Sequence, residues 1–281
     1  MLVKKINFPF KSNEKINNLV IGHFNLIHKG HLTLFKNLDS FSFLIFENNP
    51  SKSTVLYTLE ERIDNLKRYK PKSIYVFNIL ENNLESIDFI NKVLKVFNPK
   101  NIVVGKDFCF GKNRQGNIET LSNFFNVVSF DKFKNISSSK IYELLKIGKI
   151  QDANKLMDFY FYYSGKVVQG KGIATKSFFP TANIIDTKQA DVKTGSYISL
   201  TEVNKKIYKS ISFLGIPKSF EQNVKFIETH IFNFNKDIYG KNIKVFLLEF
   251  IRENQKFNSM KELIENINND LKIAKKYHNI T

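Results

Sequence analysis

A change of rhythm near Asp158 constrains this chain more than any single motif. Before it, short apolar runs alternate with helical patterns. Residues 19–22, 41–46, 73–79, 101–104 and 127–130 read as strands. Residues 31–38, 58–69, 86–97, 118–125 and 139–147 read as helices, the second opened by a capping box of Thr58 and Glu61. Alternation of this kind predicts a parallel sheet covered by helices on both faces, a Rossmann-like α/β domain over residues 1–158. After that point no helix intervenes. Residues 159–168, 195–203, 206–213, 224–234 and 243–251 are all strand-like, which predicts a closed antiparallel β-barrel over 159–281. Ser259 and Glu262 form a second capping box, opening a terminal helix with Met260, Leu263, Ile264, Ile267, Leu271 and Ala274 on one apolar stripe.

Composition narrows the class further. A chain of 281 residues with 42% hydrophobic content is long enough for two domains, each with its own core. It contains no run of about 18 apolar residues, and its first residues lack the apolar stretch of a signal peptide. A single cysteine, Cys109, excludes an internal disulfide and suits a reducing cytosol, so a cytoplasmic protein is expected. The net charge of +17 raises the question of nucleic acid. Only Arg62, Arg68, Arg114 and Arg252 are arginines, however, and the lysines are scattered through every segment. Specific nucleic-acid readers favour clustered charge and forked arginines, so none is expected here. The expected partners are small molecules, without a membrane, and the sequence carries no signal for an oligomeric state.

Two segments carry chemistry. Gly22-His23-Phe24-Asn25-Leu26-Ile27-His28-Lys29-Gly30-His31 follows a buried strand and runs into a helix. Imidazoles at i and i+3 share a face, Gly30 lets a ligand approach the backbone, and a helix start favours anions. Such a turn suits the phosphates of a nucleotide and the charge that builds during nucleotidyl transfer. Farther on, the basic loop Gly170-Lys171-Gly172 precedes Pro180-Thr181-Ala182-Asn183. Thr181 and Asn183 alternate along an extended segment, so both face one side. Their neutral oxygens suit a Mg²⁺ that keeps most of its waters and binds ATP phosphates.

These segments, together with Val104–Gly116, Ile136–Ile141, Ser164–Gly170, Phe179–Ile184, Asp237–Lys241 and Ile251–Ser259, resemble the bifunctional riboflavin kinase/FAD synthetase family of bacteria. The resemblance spans nearly the whole chain, with Pro180–Asn183 its most specific part. It implies two reactions: riboflavin and ATP give FMN, then FMN and ATP give FAD and pyrophosphate. It implies His28 and His31 as catalytic groups of the first half, and Glu228 as general base of the second. Gly22, Phe24, Gly30, Ser137, Ser138, Ser139, Gly170 and Lys171 would hold nucleotide. Asp107, Phe108, Arg114 and Arg252 would hold flavin, and Thr181 and Asn183 the Mg²⁺. The family pattern is broken where Asn25 and Leu26 replace an acid and a glycine, at Asn48-Asn49-Pro50, at Tyr142 in place of an arginine, and at Ala174 and Phe178. Two other readings stand beside this one. One is a riboflavin kinase whose first half only binds nucleotide. The other is a non-enzymatic flavin- or RNA-binding regulator, for which Thr181, Asn183 and Glu228 would have no use.

Overall fold

The computed structural model describes residues 1–48, 55–131, 136–169, 180–186, 190–215 and 225–280. Two compact units form, Met1–Ser138 and Ser139–Thr281.

The first unit is an α/β layer structure. Its strands are β1 (Leu2–Lys5), β2 (Asn18–Gly22), β3 (Phe41–Phe46), β4 (Ser73–Phe77), β5 (Asn101–Gly105) and β6 (Asn126–Phe130). They form one sheet in the order β1-β4-β3-β2-β5-β6, with every pair parallel. All six residues of β3 are buried, and so are the middle three of β2 and β5. Helices cover such a sheet on both faces, which is why these strands read as unbroken apolar runs. The helices are α1 (Lys29–Phe35), α2 (Leu59–Lys67), α3 (Ser86–Phe89), α4 (Lys95–Phe97) and α5 (Ile118–Ser122). A π-helical turn, Ile90–Leu94, joins α3 to α4, and Asn98 in left-handed conformation (φ 42°) ends the run. The Thr58–Glu61 capping box forms with both arms in place. From β2 the chain winds out through β3 and β4, then returns to place β5 on the other side of β2. That reversal opens a crevice beyond the carboxyl end of β2, where such sheets bind ligands. Strand β1 was not expected from the sequence. All four of its residues are exposed at the sheet edge, so burial imposes no pattern on them.

The second unit takes in α6 (Ser138–Lys146) apart from its first residue, and α7 (Ile150–Leu156), so the units divide earlier than the change of rhythm near 158. The physical reason lies in their contacts. The Lys193 N–H donates to Leu145 O (3.1 Å), and Asn154 Nδ2 to Leu247 O (2.8 Å), which ties both helices to the barrel. The barrel strands are β7 (Tyr162–Lys166), β8 (Ala182–Ile185), β9 (Gly195–Val203), β10 (Lys206–Gly215), β11 (Phe226–Ile231) and β12 (Asn242–Glu253). Their order is β7-β12-β9-β10-β11-β8, and a bridge between Val168 and Asn183 brings the two ends together.

Helix α8 (Met260–His278) covers one outer face. Leu271 and Ala274 pack there with Ile198, Phe232 and Leu248, and half-buried Ile267 joins them. Met260, placed on that stripe by its spacing, is 59% exposed and stands outside it. The second capping box is also altered. Ser259 Oγ accepts from Glu262 N (3.1 Å), but the Glu262 carboxylate accepts from Asn258 N (2.8 Å) instead of the Ser259 N–H. Residues of β9 and β10 that face away from α8 include a buried row of hydroxyls. Thr201 Oγ1 donates to Ser210 Oγ (2.8 Å), Ser210 meets Ser199 (2.7 Å), Ser199 meets Ser212 (2.8 Å), and Ser212 meets Thr229 of β11 (2.8 Å).

Candidate active sites

The turn after β2 folds tightly. Phe24 takes a left-handed conformation (φ 47°), and its ring returns over Gly22 so closely that a Cβ there would lie 2.9 Å from it. Gly22 is therefore needed for packing. His28 is the N-cap of α1 and His31 its third residue. The His28 backbone N–H donates to His31 Nδ1 (3.4 Å), and the two rings stack with centroids 3.7 Å apart. A neutral imidazole that accepts at Nδ1 carries its hydrogen on Nε2, so the cap selects the His31 tautomer. The Phe24 ring braces His31 edge-on at 5.2 Å. Gly30 separates the two histidines in sequence, and its carbonyl accepts from Thr33 Oγ1 (2.9 Å).

Asn25 stands where the family pattern has an acid. It is buried, and its Oδ1 accepts the Leu56 N–H (3.1 Å), fastening the turn to the chain that enters α2. An amide oxygen serves that bond as well as a carboxylate would, so the substitution keeps the contact. Arg62 of α2 directly follows the Thr58–Glu61 capping box. Buried at 4% exposure, its guanidinium donates to the carbonyls of Phe46 and Glu47 at the carboxyl end of β3. Burial lowers its pKa to about 10 against the opposing pull of Glu47. In a chain whose cations are lysine by default, the choice of arginine was the available signal.

Beyond β5, Phe108 and Phe110 stack on each other (5.7 Å, 14°), and Phe108 lies parallel to Phe46 (6.4 Å, 17°). Phe110 pairs with Gly116 across a short hairpin. Gly111 at its start has φ 74° and lies so near Ser86 that a Cβ would meet backbone at 2.7 Å. Arg114 is exposed on that hairpin in left-handed conformation (φ 59°), and Asp107 opens the loop. Ser138 and Ser139 begin α6, directly after Ser137, with half-buried Tyr142 farther along it. Asn48 donates from Nδ2 to Asn78 Oδ1 (3.1 Å). Asn49 and Pro50, and likewise Gly170, Lys171, Ala174 and Phe178, lie outside the described residues.

In the second unit, strand register assembles what the sequence disperses. Asn183 of β8 stands directly opposite Glu228 of β11, so both side chains share one face, with Thr181 two residues from Asn183 on the same side. His230 belongs to that face too, and its Nδ1 donates to Pro180 O (3.0 Å), immediately before Thr181. Glu228 is half-buried, and desolvation raises its pKa above the ordinary carboxylate value. The row continues: Glu228 faces Phe213 of β10, Phe213 faces Ser196 of β9, and Ser196 faces Arg252 of β12. Arg252 is forked onto Asp270 of α8 through Nε (2.9 Å) and a second nitrogen (2.8 Å), and Ser196 Oγ donates to the same carboxylate (2.9 Å). Its guanidinium also lies over the Phe257 ring at 5.6 Å. Beside Thr181 a groove opens, lined by Val167, Pro180, Phe234, Lys236 and Tyr239. There Gly240 N donates to Val167 O (2.9 Å), securing the turn to the end of β7.

Comparison with known proteins bears on both halves of the chain. A family model described as FAD synthetase matches residues 11–141, and one described as riboflavin kinase matches residues 157–278. A bifunctional riboflavin kinase/FMN adenylyltransferase of Buchnera aphidicola is 33% identical, covering 99% of this chain and 97% of that protein. Its counterpart in Mycoplasma pneumoniae is 31% identical over 92% and 96%. A trifunctional protein of Mycoplasmoides gallisepticum is 39% identical over 96% of this chain, which spans only 42% of that longer protein. Among solved structures, a Streptococcus pneumoniae chain described as a macrolide-efflux protein superposes with a TM-score of 0.83 at 26% identity, covering 98% of this chain and 99% of that one. Only its fold bears on this chain, in which no helix among the described residues is long and apolar enough to cross a membrane. With both catalytic domains matched and relatives aligned end to end, the chain belongs to the bifunctional riboflavin kinase/FMN adenylyltransferase family.

Proposed function

We propose that Glu228 is the general base of riboflavin phosphorylation and that His28 and His31 serve FMN adenylylation. The observation that carries this reading is the register of β8 on β11, which sets the Asn183 amide opposite the Glu228 carboxylate on one face. The riboflavin 5′-hydroxyl gives its proton to Glu228 as its oxygen attacks the γ-phosphorus of ATP and ADP departs. Desolvation raises the proton affinity of that carboxylate, which favours the transfer. Thr181 and Asn183 present two neutral oxygens beside it, a donor set that fits a Mg²⁺ shared with nucleotide phosphates. That ion, when bound, neutralises charge on the phosphates. The groove lined by Val167, Phe234 and Tyr239 lies next to Thr181 and suits the nucleotide.

In the first unit, an FMN phosphate oxygen attacks the α-phosphorus of ATP and pyrophosphate leaves. The stacked imidazoles of His28 and His31 donate to the charge that develops there, with the His31 hydrogen held on Nε2 by the cap. Half-buried Phe108, backed by the buried rings of Phe46 and Phe110, suits a planar flavin ring, and exposed Arg114 its phosphate. The test is direct. Purified protein incubated with riboflavin and Mg-ATP is expected to accumulate FMN, followed by FAD. FMN without FAD would reduce the first unit to nucleotide binding, and no FMN would refute the reading of Glu228.

A further inference from the structure

We propose that Phe213 is a specificity-determining residue of the kinase site, a platform on which the riboflavin ring rests while its hydroxyl tail reaches Glu228. The inference builds on the reading of Glu228 as base and of Thr181 and Asn183 as the phosphate end. Four observations lead to it. First, Phe213 stands directly opposite Glu228 in the β10–β11 register, so the two side chains emerge side by side on one face. Second, it is 37% exposed near the end of β10, where its strand neighbours Ser212 and Leu214 are buried at 2% and 1%. Third, its ring contacts no other ring among the described residues, in a chain where aromatic side chains otherwise cluster densely. Fourth, the ring leans over Gly215, where a Cβ would collide with it at 2.4 Å. The glycine is what permits the ring to lie along the strand.

The cross-strand row gives the substrate a direction. Asn183, Glu228, Phe213, Ser196 and Arg252 succeed one another on five adjacent strands, spaced by about 4.8 Å per strand. With phosphoryl transfer at the Asn183 end and proton removal at Glu228, the rest of the substrate has to extend away from ATP. It therefore crosses β10 toward β9, and the first surface it meets is the Phe213 ring. The fork from Arg252 to Asp270 ties the far end of the row to α8. An exposed aromatic stacked on a heteroaromatic ring is worth a large factor in binding, and it ignores substituents that point off the plane.

The experiment measures riboflavin binding to the full chain in Mg-ADP, with Phe213→Ala, Phe213→Leu and Phe213→Trp variants. Phe213→Ala and Phe213→Leu are expected to weaken riboflavin binding roughly tenfold or more, the usual loss when one aromatic partner of a stacked base is removed. Leucine keeps apolar bulk, so its loss would report the ring specifically. Phe213→Trp is expected to retain affinity and to quench the emission of bound riboflavin below its level in the wild-type complex, since a stacked indole donates an electron to the excited flavin. Wild-type affinity in Phe213→Leu, or unquenched emission in Phe213→Trp, would overturn the platform. Glu228→Gln separates this from failure of the underlying reading. If it still phosphorylates riboflavin at the wild-type rate, the site assignment falls, and the platform with it. If it binds riboflavin normally without turnover, the site stands, and the Phe213 variants decide the rest.

Discussion

His28 and His31 are three residues apart in the chain and stack at 3.7 Å, whereas Asn183 and Glu228 have two whole strands between them and meet only through sheet register. The first site is local. Its spacing, its flanking glycines and the helix it caps are all written in ten consecutive residues. The second is made by the ladder of a barrel, so no window of sequence contains it. The contrast predicts different failures. Damage to the local turn should remain local, while the barrel site should respond to anything that shifts one strand on another.

The strongest way to break this comparison is at Glu228. Glu228→Gln keeps shape and removes the proton acceptor, and riboflavin phosphorylation is expected to fall about 10²–10⁴-fold in a rate assay with excess Mg-ATP. FMN-to-FAD conversion should continue. The same substitution should stabilise the fold at neutral pH. Burial raises the folded-state pKa of Glu228, so the folded protein holds that proton more tightly than the unfolded chain. Stability therefore falls as pH rises from the ordinary carboxylate range through the raised value. Glutamine removes this dependence, and its melting temperature should exceed wild type near pH 7 and match it at low pH. An unchanged melting profile with full kinase activity would sink the assignment.

The next largest effect is expected in the first unit. His28→Ala combined with His31→Ala should cut FAD formation from added FMN by about 10²–10³-fold, the usual effect of removing transition-state donors. Riboflavin phosphorylation should change little. Equal loss of both activities would contradict two independent sites, provided the melting curve remains single and near its original temperature.

A smaller effect sharpens the account of the turn. Asn25→Leu leaves the Leu56 N–H buried without its acceptor, at about 1–3 kcal/mol of stability. Asn25→Asp keeps the acceptor and should lose less. If chemical denaturation ranks the two variants the other way, the tie between Asn25 and Leu56 is not what holds the turn.

The same contrast explains which parts were legible. Apolar runs gave β2, β3 and β5 because burial on both faces leaves no room for polar residues, and the exposed β1 escaped notice for the opposite reason. Helix α7 was missed because its buried apolar residues, Ile150 and Ala153, are too few to make a periodic stripe, and Asn154 fastens it by bonds at both ends of its amide to Leu247 O and Phe161 N. The pairing of His28 with His31 follows from helical spacing. Nothing in the sequence pairs Glu228 with Asn183, and its candidacy came from family resemblance alone. Arg252 came the same way as a flavin contact, and its fork on Asp270, which ties β12 to α8, has no signal in the sequence. The register that places Phe213 beside Glu228 is equally invisible until the strands are aligned.

The buried hydroxyl row of the barrel sets a rule for how this protein can drift over generations. Each hydroxyl owns one hydrogen, and Thr201 spends its own on Ser210. One arrangement uses a hydrogen at every link: Ser210 points to Ser199, Ser199 to Ser212, and Ser212 to Thr229. A lone Ser199→Ala would leave one neighbour with a hydrogen and another with a lone pair, both unmet in a dry interior. Several replacements made together leave little unmet. Positions far apart in the chain, on β9, β10 and β11, should thus change as a group or stay as they are, and descendants of this barrel should carry either most of the row or almost none of it.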